Sequence, residues 1–210
     1  MALLDVQTRQ EYLKYLGFYK GLCNGNEGPL TKEAYLKLQK KYFKRKVKGK
    51  YVDVDGIYGK NTNILLINAY LVKKYTKNFK LEEFRCGCIK KGKNYCTGYP
   101  EVLDKYLLIY LQELRDKYGS ITITSGLRCL LYNNSLYGSS PTSAHMDGKA
   151  IDMKKLVLFS TLAKRKKVMS EFIKKVRAYY TYCKGYYMKK NSKGYTKGST
   201  MGSSIHIEVK

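Results

Sequence analysis

The 210-residue sequence predicts an α+β protein, with a small all-α unit of three helices in residues 1–76 and an α+β unit with a small antiparallel sheet in residues 77–210. Apolar residues recur at helical spacing in the first unit and again in residues 101–118. Apolar and polar residues alternate in residues 120–124 and 203–209, which is typical of half-buried strands. Helices beside a small group of strands indicate the α+β class.

The first unit contains two copies of one pattern. An apolar-periodic helix is predicted to end at Gly17, and two later segments, residues 28–31 and 59–62, both read Gly-x-x-Thr before an apolar-periodic stretch. We expect Thr31 and Thr62 to be the N-caps of these two helices. The sequence DGIYGKNT, and less closely CNGNEGPLT, resembles the peptidoglycan-binding domain family. This resemblance implies that the first unit binds bacterial cell wall.

Residues 75–84 are predicted to link the two units. In the second unit, the helix of residues 101–118 should end at Gly119, and residues 163–180 should form another, basic helix. The last strand should place its side chains on two opposite faces. One face would carry Ile205 and Ile207, and the other His206 and Glu208.

The chain is strongly basic, with 41 Lys and Arg against 16 Asp and Glu and a net charge of +25. Residues 36–50 alone hold eight cationic side chains and no acid. Such a surface attracts nucleic acid, anionic lipid or the phosphate-rich polymers of a bacterial wall, although a solubilising face is the simpler alternative. No apolar run is long enough to span a bilayer, so we expect no membrane insertion.

Six cysteines do not suggest a pairing, and three of them, Cys86, Cys88 and Cys96, are close together in the sequence. With Cys129 they would supply four thiolates, enough for a second, structural zinc ion. Their spacing differs from that of standard zinc fingers, however, so buried or unpaired thiols are the favoured interpretation.

The only two histidines lie in surroundings that suit a metal. His145 stands seven residues before Asp152, and His206 lies on the last strand. Two imidazoles and one carboxylate with a fourth position open are typical of catalytic zinc. Gly148 would let the chain bend so that His145 and Asp152 converge on one ion. The alternative is that each histidine is an ordinary buried or surface polar residue.

Three motifs resemble the M15 family of zinc peptidases. They are Asn-Phe-x-x-x-Glu-Phe-x-Cys at residues 78–86, Ser-Gly-x-Arg-Cys at 125–129, and Ser-x-His-x-x-Gly-x-Ala-x-Asp at 143–152. The resemblance is closest to the subgroup of that family whose domain opens with the first of these motifs. The family includes D-alanyl-D-alanine carboxypeptidases and the endopeptidases of phage lysins. The resemblance covers nearly all of residues 78–210 and implies that one Zn²⁺ is bound by three side chains, those of His145, Asp152 and His206.

The resemblance also implies roles for residues around the metal. Arg128 would bind the substrate and polarise it, with a structural ion pair as the alternative, and Ser143 would face the substrate or only close its loop. Many members have an acid three residues before the last histidine, where this chain has Ser203, which cannot act as a general base. We therefore expect Glu208 to be the catalytic base or to orient the last histidine, with Asp147 as the second candidate.

The function expected from these resemblances is that of a modular peptidoglycan hydrolase similar to a phage endolysin. Its partners would be peptidoglycan and teichoic acids, with no nucleic acid, and the protein should be a monomer. Because no Sec signal is visible, we expect synthesis in the host cytoplasm and release through a holin-type membrane lesion. The alternatives are a bacterial D-alanyl-D-alanine carboxypeptidase, a non-catalytic wall-binding protein that keeps the fold, and a nucleic-acid binder supported by charge alone.

Overall fold

The structure is a computed structural model that describes most of the chain. The described residues are 1–155, 159–174, 178–183, 186–189, 192–194 and 203–210. Together they form an α+β fold, as the sequence predicts. Within these residues, no helix is both long and apolar enough to cross a membrane.

Three helices form the N-terminal part: α1 (Val6–Leu16), α2 (Pro29–Tyr42) and α3 (Lys60–Tyr75). A short hairpin of β1 (Lys46–Val47) and β2 (Lys50–Tyr51) separates α2 from α3. Helix α1 ends as predicted at Gly17, which takes the left-handed conformation with φ of 87°. The three predicted N-terminal helices are therefore present.

The two threonines of the repeated pattern are not N-caps, so this prediction was wrong. Gly28 and Gly59 are the N-cap residues of α2 and α3, and neither helix start has a capping side chain. Thr31 and Thr62 lie within the first helical turn and are buried. Their hydroxyl groups face inward because a buried glutamine of the preceding helix binds each of them.

Each of these glutamines holds a glycine-rich turn in place. The Gln39 amide group donates to Asp55 Oδ1 at 3.0 Å, to the Ile57 carbonyl at 2.9 Å and to Thr62 Oγ1 at 3.0 Å. Its oxygen accepts the backbone N–H groups of Asp55 and Gly56 at 3.0 and 2.8 Å. The side chain thus supplies partners to backbone groups of a turn that forms no regular ladder.

Gln10 makes a smaller version of the same arrangement. It donates to the Asn26 carbonyl at 2.9 Å and to Thr31 Oγ1 at 3.1 Å, and it accepts the Gly25 N–H at 3.0 Å. The internal repeat read from the sequence is therefore a structural repeat, although the residues that organise it, Gln10 and Gln39, were not anticipated.

The second part carries short helices around one sheet. Its helical elements are a 3₁₀ turn (Leu81–Phe84), α4 (Gly87–Lys90), α5 (Lys105–Tyr118), α6 (Leu130–Asn134) and α7 (Leu162–Lys174). Its strands are β3 (Thr122–Ser125), β4 (Ala150–Lys154), β5 (Ala178–Cys183), β6 (Tyr186–Lys189), β7 (Ser192–Gly194) and β8 (Ser204–Val209). The strands pair antiparallel in the order β3-β4-β8-β5-β6-β7, so the C-terminal strand lies inside the sheet.

The helix predicted over residues 163–180 is shorter than expected. Helix α7 ends at Lys174, and residues 178–180 belong to β5, so the prediction was wrong over those three residues. Residues 175–177 lie outside the described part of the chain. The segment AYYTYC is rich in aromatic residues that favour strands, and it pairs with β6 on one side and β8 on the other.

One hydrophobic core serves both parts of the molecule. Ile205 and Ile207 of β8 are buried with Leu107 and Leu111 of α5, which confirms the predicted apolar face of the last strand. The same core continues into the N-terminal helices, where it includes residues such as Leu65 of α3. Helix α3 therefore packs directly beside α5.

Polar contacts reinforce this junction. Asn68 of α3 donates to the Glu101 carbonyl at 2.9 Å and accepts the Leu103 N–H at 2.8 Å. The segment predicted to be a linker is itself buried through Phe79, Leu81 and Phe84. The segment predicted to link the two units therefore contributes buried side chains to the core.

Candidate metal centre

The sheet brings two of the predicted ligands together. Strands β4 and β8 are neighbours, and Asp152 lies directly opposite His206 in their register. Side chains of directly opposed residues on one face are about 5 Å apart at Cβ, which is close enough for two short side chains to share a ligand. His145 approaches from the loop that precedes β4. The three residues therefore meet although 54 positions separate Asp152 from His206.

The donor atoms of the three side chains converge on one point. Asp152 Oδ1 lies 3.2 Å from His145 Nε2 and 2.8 Å from His206 Nδ1. The three residues are only 1%, 6% and 5% exposed for His145, Asp152 and His206 respectively. Two nitrogens and one carboxylate oxygen, all within 4.8 Å of one another, form a donor set that zinc prefers.

The other ring nitrogen of each histidine has a protein partner. His145 Nδ1 lies 2.7 Å from the Gly126 carbonyl oxygen, and since a carbonyl only accepts, this nitrogen carries the proton. His206 Nε2 lies 3.5 Å from Glu208 Oε2. Such contacts fix the ring orientation and leave the inward nitrogen for a metal, as is usual for metal-binding histidines.

Arg128 contacts the remaining oxygen of the carboxylate. One of its terminal nitrogens donates to Asp152 Oδ2 at 2.7 Å, and its Nε donates to Ser125 Oγ at 3.0 Å. Its backbone N–H also binds the His145 carbonyl at 3.1 Å. The two oxygens of Asp152 are therefore divided, with Oδ1 toward the histidines and Oδ2 toward the guanidinium.

This arrangement of side chains occurs in a chain that matches a known protein family. The family model described as Peptidase M15 matches residues 77–191, which is more than half of the chain. The chain belongs to the peptidase M15 family. No curated protein matches the sequence. The matched stretch contains His145 and Asp152 but ends before His206, so the assignment of the third ligand depends on the geometry of β8.

M15 peptidases are zinc-dependent, and the residues present fit a zinc ion. Burial alone would raise the pKa of Asp152, but the hydrogen bonds from His145 and His206 outweigh it and hold that pKa below its usual range. Burial lowers the pKa of His145. At neutral pH, therefore, Asp152 is ionised and His145 is neutral, and these are the forms that bind cations.

The environment of His206 is different. Burial by itself would lower the pKa of His206, but its hydrogen bonds with Asp152 and Glu208 outweigh the burial and raise that pKa. This M15 chain thus surrounds its last histidine with two carboxylates, one at each ring nitrogen. A cation at the inward nitrogen would take the place of a proton there.

Two glycines allow the loops of the M15 site to pack closely. Gly148 has a φ of 69°, and a Cβ on it would lie 2.0 Å from the carbonyl oxygen of Val102. Its own carbonyl accepts the Asp104 N–H at 3.0 Å. A Cβ on Gly126 would lie 2.4 Å from the carbonyl oxygen of Phe84. The bend expected at Gly148 is present, and close approach to the backbone of residue 102 is the stronger reason for glycine there.

The other predicted site residues of the M15 unit differ in their burial and in their contacts. Glu208 is half-buried at the far nitrogen of His206, whereas Asp147 is exposed. Ser143 is half-buried, and its carbonyl accepts the Met146 N–H at 2.9 Å within the loop. Ser203 precedes β8 in a turn. The sequence analysis missed Ser125 as a partner of Arg128, although both belong to the Ser-Gly-x-Arg-Cys motif.

Proposed function

We propose that this chain is a zinc-dependent peptidase that cuts an amide bond in the peptides of bacterial peptidoglycan, in the manner of a phage endolysin. The observation that carries the proposal is the convergence of His145 Nε2, Asp152 Oδ1 and His206 Nδ1 in a chain of the M15 family. Their orientation is set by contacts on the outer side of each group, so the donor atoms are held in place before any ligand binds.

A zinc ion held by these three side chains would supply Lewis acidity at the scissile amide and a water activated near neutral pH. The protein's own contribution begins with Asp152. Because Arg128 binds Oδ2, the carboxylate presents only Oδ1 to the histidine side. The ligand set is therefore two nitrogens and one oxygen, which leaves room in a tetrahedral arrangement for substrate or water.

Arg128 is positioned to act on the substrate as well as on Asp152. Its side chain lies beside the three proposed ligands and is 12% exposed, so it is not fully enclosed. A guanidinium can pair with a substrate carboxylate or stabilise the negative charge that develops on an amide oxygen. The ion pair with Asp152 fixes the group for that task, so the structural and catalytic roles of Arg128 are compatible.

Glu208 and Asp147 are the two candidates for proton transfer, and they are placed differently. The Glu208 carboxylate faces His206 Nε2, which is the ring nitrogen turned away from Asp152. This placement supports the orienting role of Glu208 more directly than the role of general base. Asp147 is exposed in the loop between His145 and β4, where its carboxylate reaches solvent.

The cell wall is the proposed substrate because of the M15 family membership together with the N-terminal helices. The structural repeat of residues 1–76 matches the repeat on which the resemblance to wall-binding domains depends. A net charge of +25 favours anionic wall polymers such as teichoic acids. Wall binding in residues 1–76, catalysis in residues 77–210, and release from the host cytoplasm to the wall all belong to this proposal.

The test is zinc-dependent lysis of purified cell walls. We expect the protein stripped of metal by a chelator to leave wall turbidity unchanged, and Zn²⁺ but not Mg²⁺ to restore clearing. His145→Ala should bind less Zn²⁺ and stay inactive at Zn²⁺ concentrations that restore the native chain. Clearing that persists in this variant, or after the chelator, would contradict the mechanism.

Mass analysis of the released fragments would identify the bond. New L-Ala or D-Glu termini indicate an L,D-endopeptidase, opened cross-links indicate a D,D-endopeptidase, and free D-Ala indicates the alternative carboxypeptidase. Wall binding without any fragment, in protein shown to contain zinc, would favour the non-catalytic alternative, for which Ser203 in place of the usual acid is the supporting observation.

A further inference from the structure

We infer that this protein contains a second metal site, in which Cys86, Cys88, Cys96 and Cys129 bind a structural Zn²⁺. The four residues come from three separate segments, yet their Sγ atoms all lie within 4.8 Å of one another. Zinc bound by four thiolates has Zn–S distances of about 2.3 Å, which places the sulfurs roughly 3.8 Å apart in a tetrahedron. The observed cluster is of this size, and Cys88 and Cys96 are 3.4 Å apart.

The surroundings of the cluster explain why an ion is needed there. Residues 85–98 contain the four-residue helix α4 and otherwise a turn, bends and irregular backbone. Cys86 and Cys88 are fully buried, but the small cluster they form with Cys129 and Tyr132 is separate from the main hydrophobic core. A segment with so little core of its own requires a cross-link to hold one conformation, and a metal ion bound to three segments supplies it.

Backbone groups already support two of the sulfurs. The Cys129 N–H donates to Cys86 Sγ at 3.4 Å, and the Gly98 N–H donates to Cys96 Sγ at 3.4 Å. Hydrogen bonds of this kind stabilise the thiolate form and orient it toward a metal. Between the second and third cysteines, the chain turns back through Gly92, with φ of 68°, and the Lys93 N–H binds the Cys88 carbonyl at 2.8 Å.

The local charge also suits a zinc tetrathiolate, whose net formal charge is −2, since one Zn²⁺ carries +2 and four thiolates carry −4. Residues 85–100 contain no carboxylate and four cations: Arg85, Lys90, Lys91 and Lys93. The Lys91 ammonium lies 5.7 Å from the ring centre of Tyr132, which belongs to the thiol cluster. Cations around the cluster offset the negative charge that four thiolates would bring.

The position of the site gives it a consequence for the M15 centre. Cys129 directly follows Arg128, whose side chain binds Asp152 and whose backbone N–H binds the His145 carbonyl. The preceding residue, Leu127, donates its N–H to the Phe84 carbonyl at 2.9 Å. An ion held by Cys129 and Cys86 would therefore hold in place the segment that carries Arg128. In this role the four cysteines are positioning residues.

Cobalt substitution of the full chain tests the site without reference to activity. Co²⁺ bound by thiolates absorbs in the near ultraviolet through sulfur-to-metal charge transfer, whereas Co²⁺ bound by imidazole and carboxylate does not. We expect this absorption in the double variant His145→Ala, His206→Ala, and we expect Cys88→Ser to lose it. Cys23→Ser is the matched control and should keep it, because Cys23 lies outside the cluster.

Zinc content and proteolysis complete the test. We expect two Zn²⁺ per native chain, one in the double histidine variant, and one in Cys88→Ser. If Cys88→Ser fails to fold, Cys96→His provides a second variant that keeps four ligands and should retain zinc with a changed cobalt spectrum. Chelation should make the chain more than tenfold more sensitive to trypsin at Lys90, Lys91 and Lys93, in native protein and in the double histidine variant alike.

Three results would overturn the inference. One is a double histidine variant that binds no Zn²⁺ under reducing conditions. Another is a mass two or four hydrogens lower than that of the fully reduced chain after isolation from reducing cytoplasm, which would show disulfides instead. The third is trypsin sensitivity of residues 90–93 that does not depend on metal. Because the double histidine variant lacks the proposed catalytic ligands, none of these results depends on whether the protein cuts peptidoglycan.

Discussion

We expect Gly148→Ala to lower the free energy of unfolding more than the same substitution at a glycine where an added Cβ would meet no other atom. The reason is that Gly148 meets two constraints at once. Its φ of 69° lies in the left-handed region, and an added Cβ would be 2.0 Å from the carbonyl oxygen of Val102. That carbonyl belongs to backbone, so it cannot move aside as the end of a flexible side chain could.

The cost has two parts. An L-residue other than glycine in the left-handed conformation costs about 1–2 kcal/mol. Forcing an extra carbon into a packed region costs about 1–3 kcal/mol more, here through separation of Gly148 from Val102 and weakening of the Asp104 N–H bond to the Gly148 carbonyl. The free energy of unfolding should therefore fall by roughly 2–5 kcal/mol.

Gly138→Ala is the matched control. Gly138 has a φ of 71°, but an added Cβ would have no atom within 4 Å, so only the backbone cost of about 1–2 kcal/mol applies. Urea unfolding of both variants measures the difference, and zinc content reports whether His145 has moved. If the two variants lose stability equally within about 0.5 kcal/mol and Gly148→Ala keeps its zinc, the reasoning from close approach is wrong.

Four further substitutions test the site and the repeat. Glu208→Gln should weaken Zn²⁺ binding about 10- to 100-fold, because Glu208 faces the outer nitrogen of His206, while kcat at saturating Zn²⁺ is largely kept. Unchanged Zn²⁺ affinity with a large fall in kcat would instead identify Glu208 as the general base. Arg128→Lys should lower kcat/KM on wall peptides about 100- to 1,000-fold at unchanged zinc content, and full activity would exclude a role in charge stabilisation. Gln39→Leu should cost about 1–3 kcal/mol in urea unfolding because it leaves two partly buried backbone N–H groups without their acceptor, whereas Gln10→Leu, which affects one, should cost about 0.5–1.5 kcal/mol.

The sequence predicts well those features that depend on periodicity within one segment. The helix ends at Gly17 and Gly119 and the two faces of β8 are confirmed, because each follows from local spacing. The three candidate metal ligands were proposed from a motif. Alternation placed His206 and Glu208 on one face of a strand without indicating which strand lies beside it. Its pairing with β4, which sets His206 opposite Asp152, is a property of the whole sheet.

Predictions failed where tertiary contacts decide the outcome. Thr31 and Thr62 have the residue type of N-caps, but buried glutamines from a preceding helix bind their hydroxyl groups. Residues 178–180 continue a helical pattern, yet they gain two strand partners instead. In each case a partner distant in sequence satisfies the group better than the local solution does.

The cysteine cluster is also decided by tertiary contacts, but here they bring together residues from separate segments of the sequence. Spacing alone did not favour a metal site, because Cys86, Cys88 and Cys96 do not follow a known finger pattern and Cys129 is far along the chain. What brings Cys129 to the other three is the contact of residues 126–127 with the backbone of Phe84. No pattern within a single segment contains that information.

Under the proposed function, the shared core of α3 and α5, with Asn68 bonded across it, would determine how the protein acts on an insoluble polymer. Enzymes whose binding domain is joined to the catalytic domain by a flexible linker can reach many bonds around one attachment point. Here the N-terminal helices and the sheet share one core, so they would move together. A glycan strand gripped by the helices would offer its peptides at one fixed distance and angle, so spacing along the polymer, as well as peptide chemistry, would decide which bonds are cut.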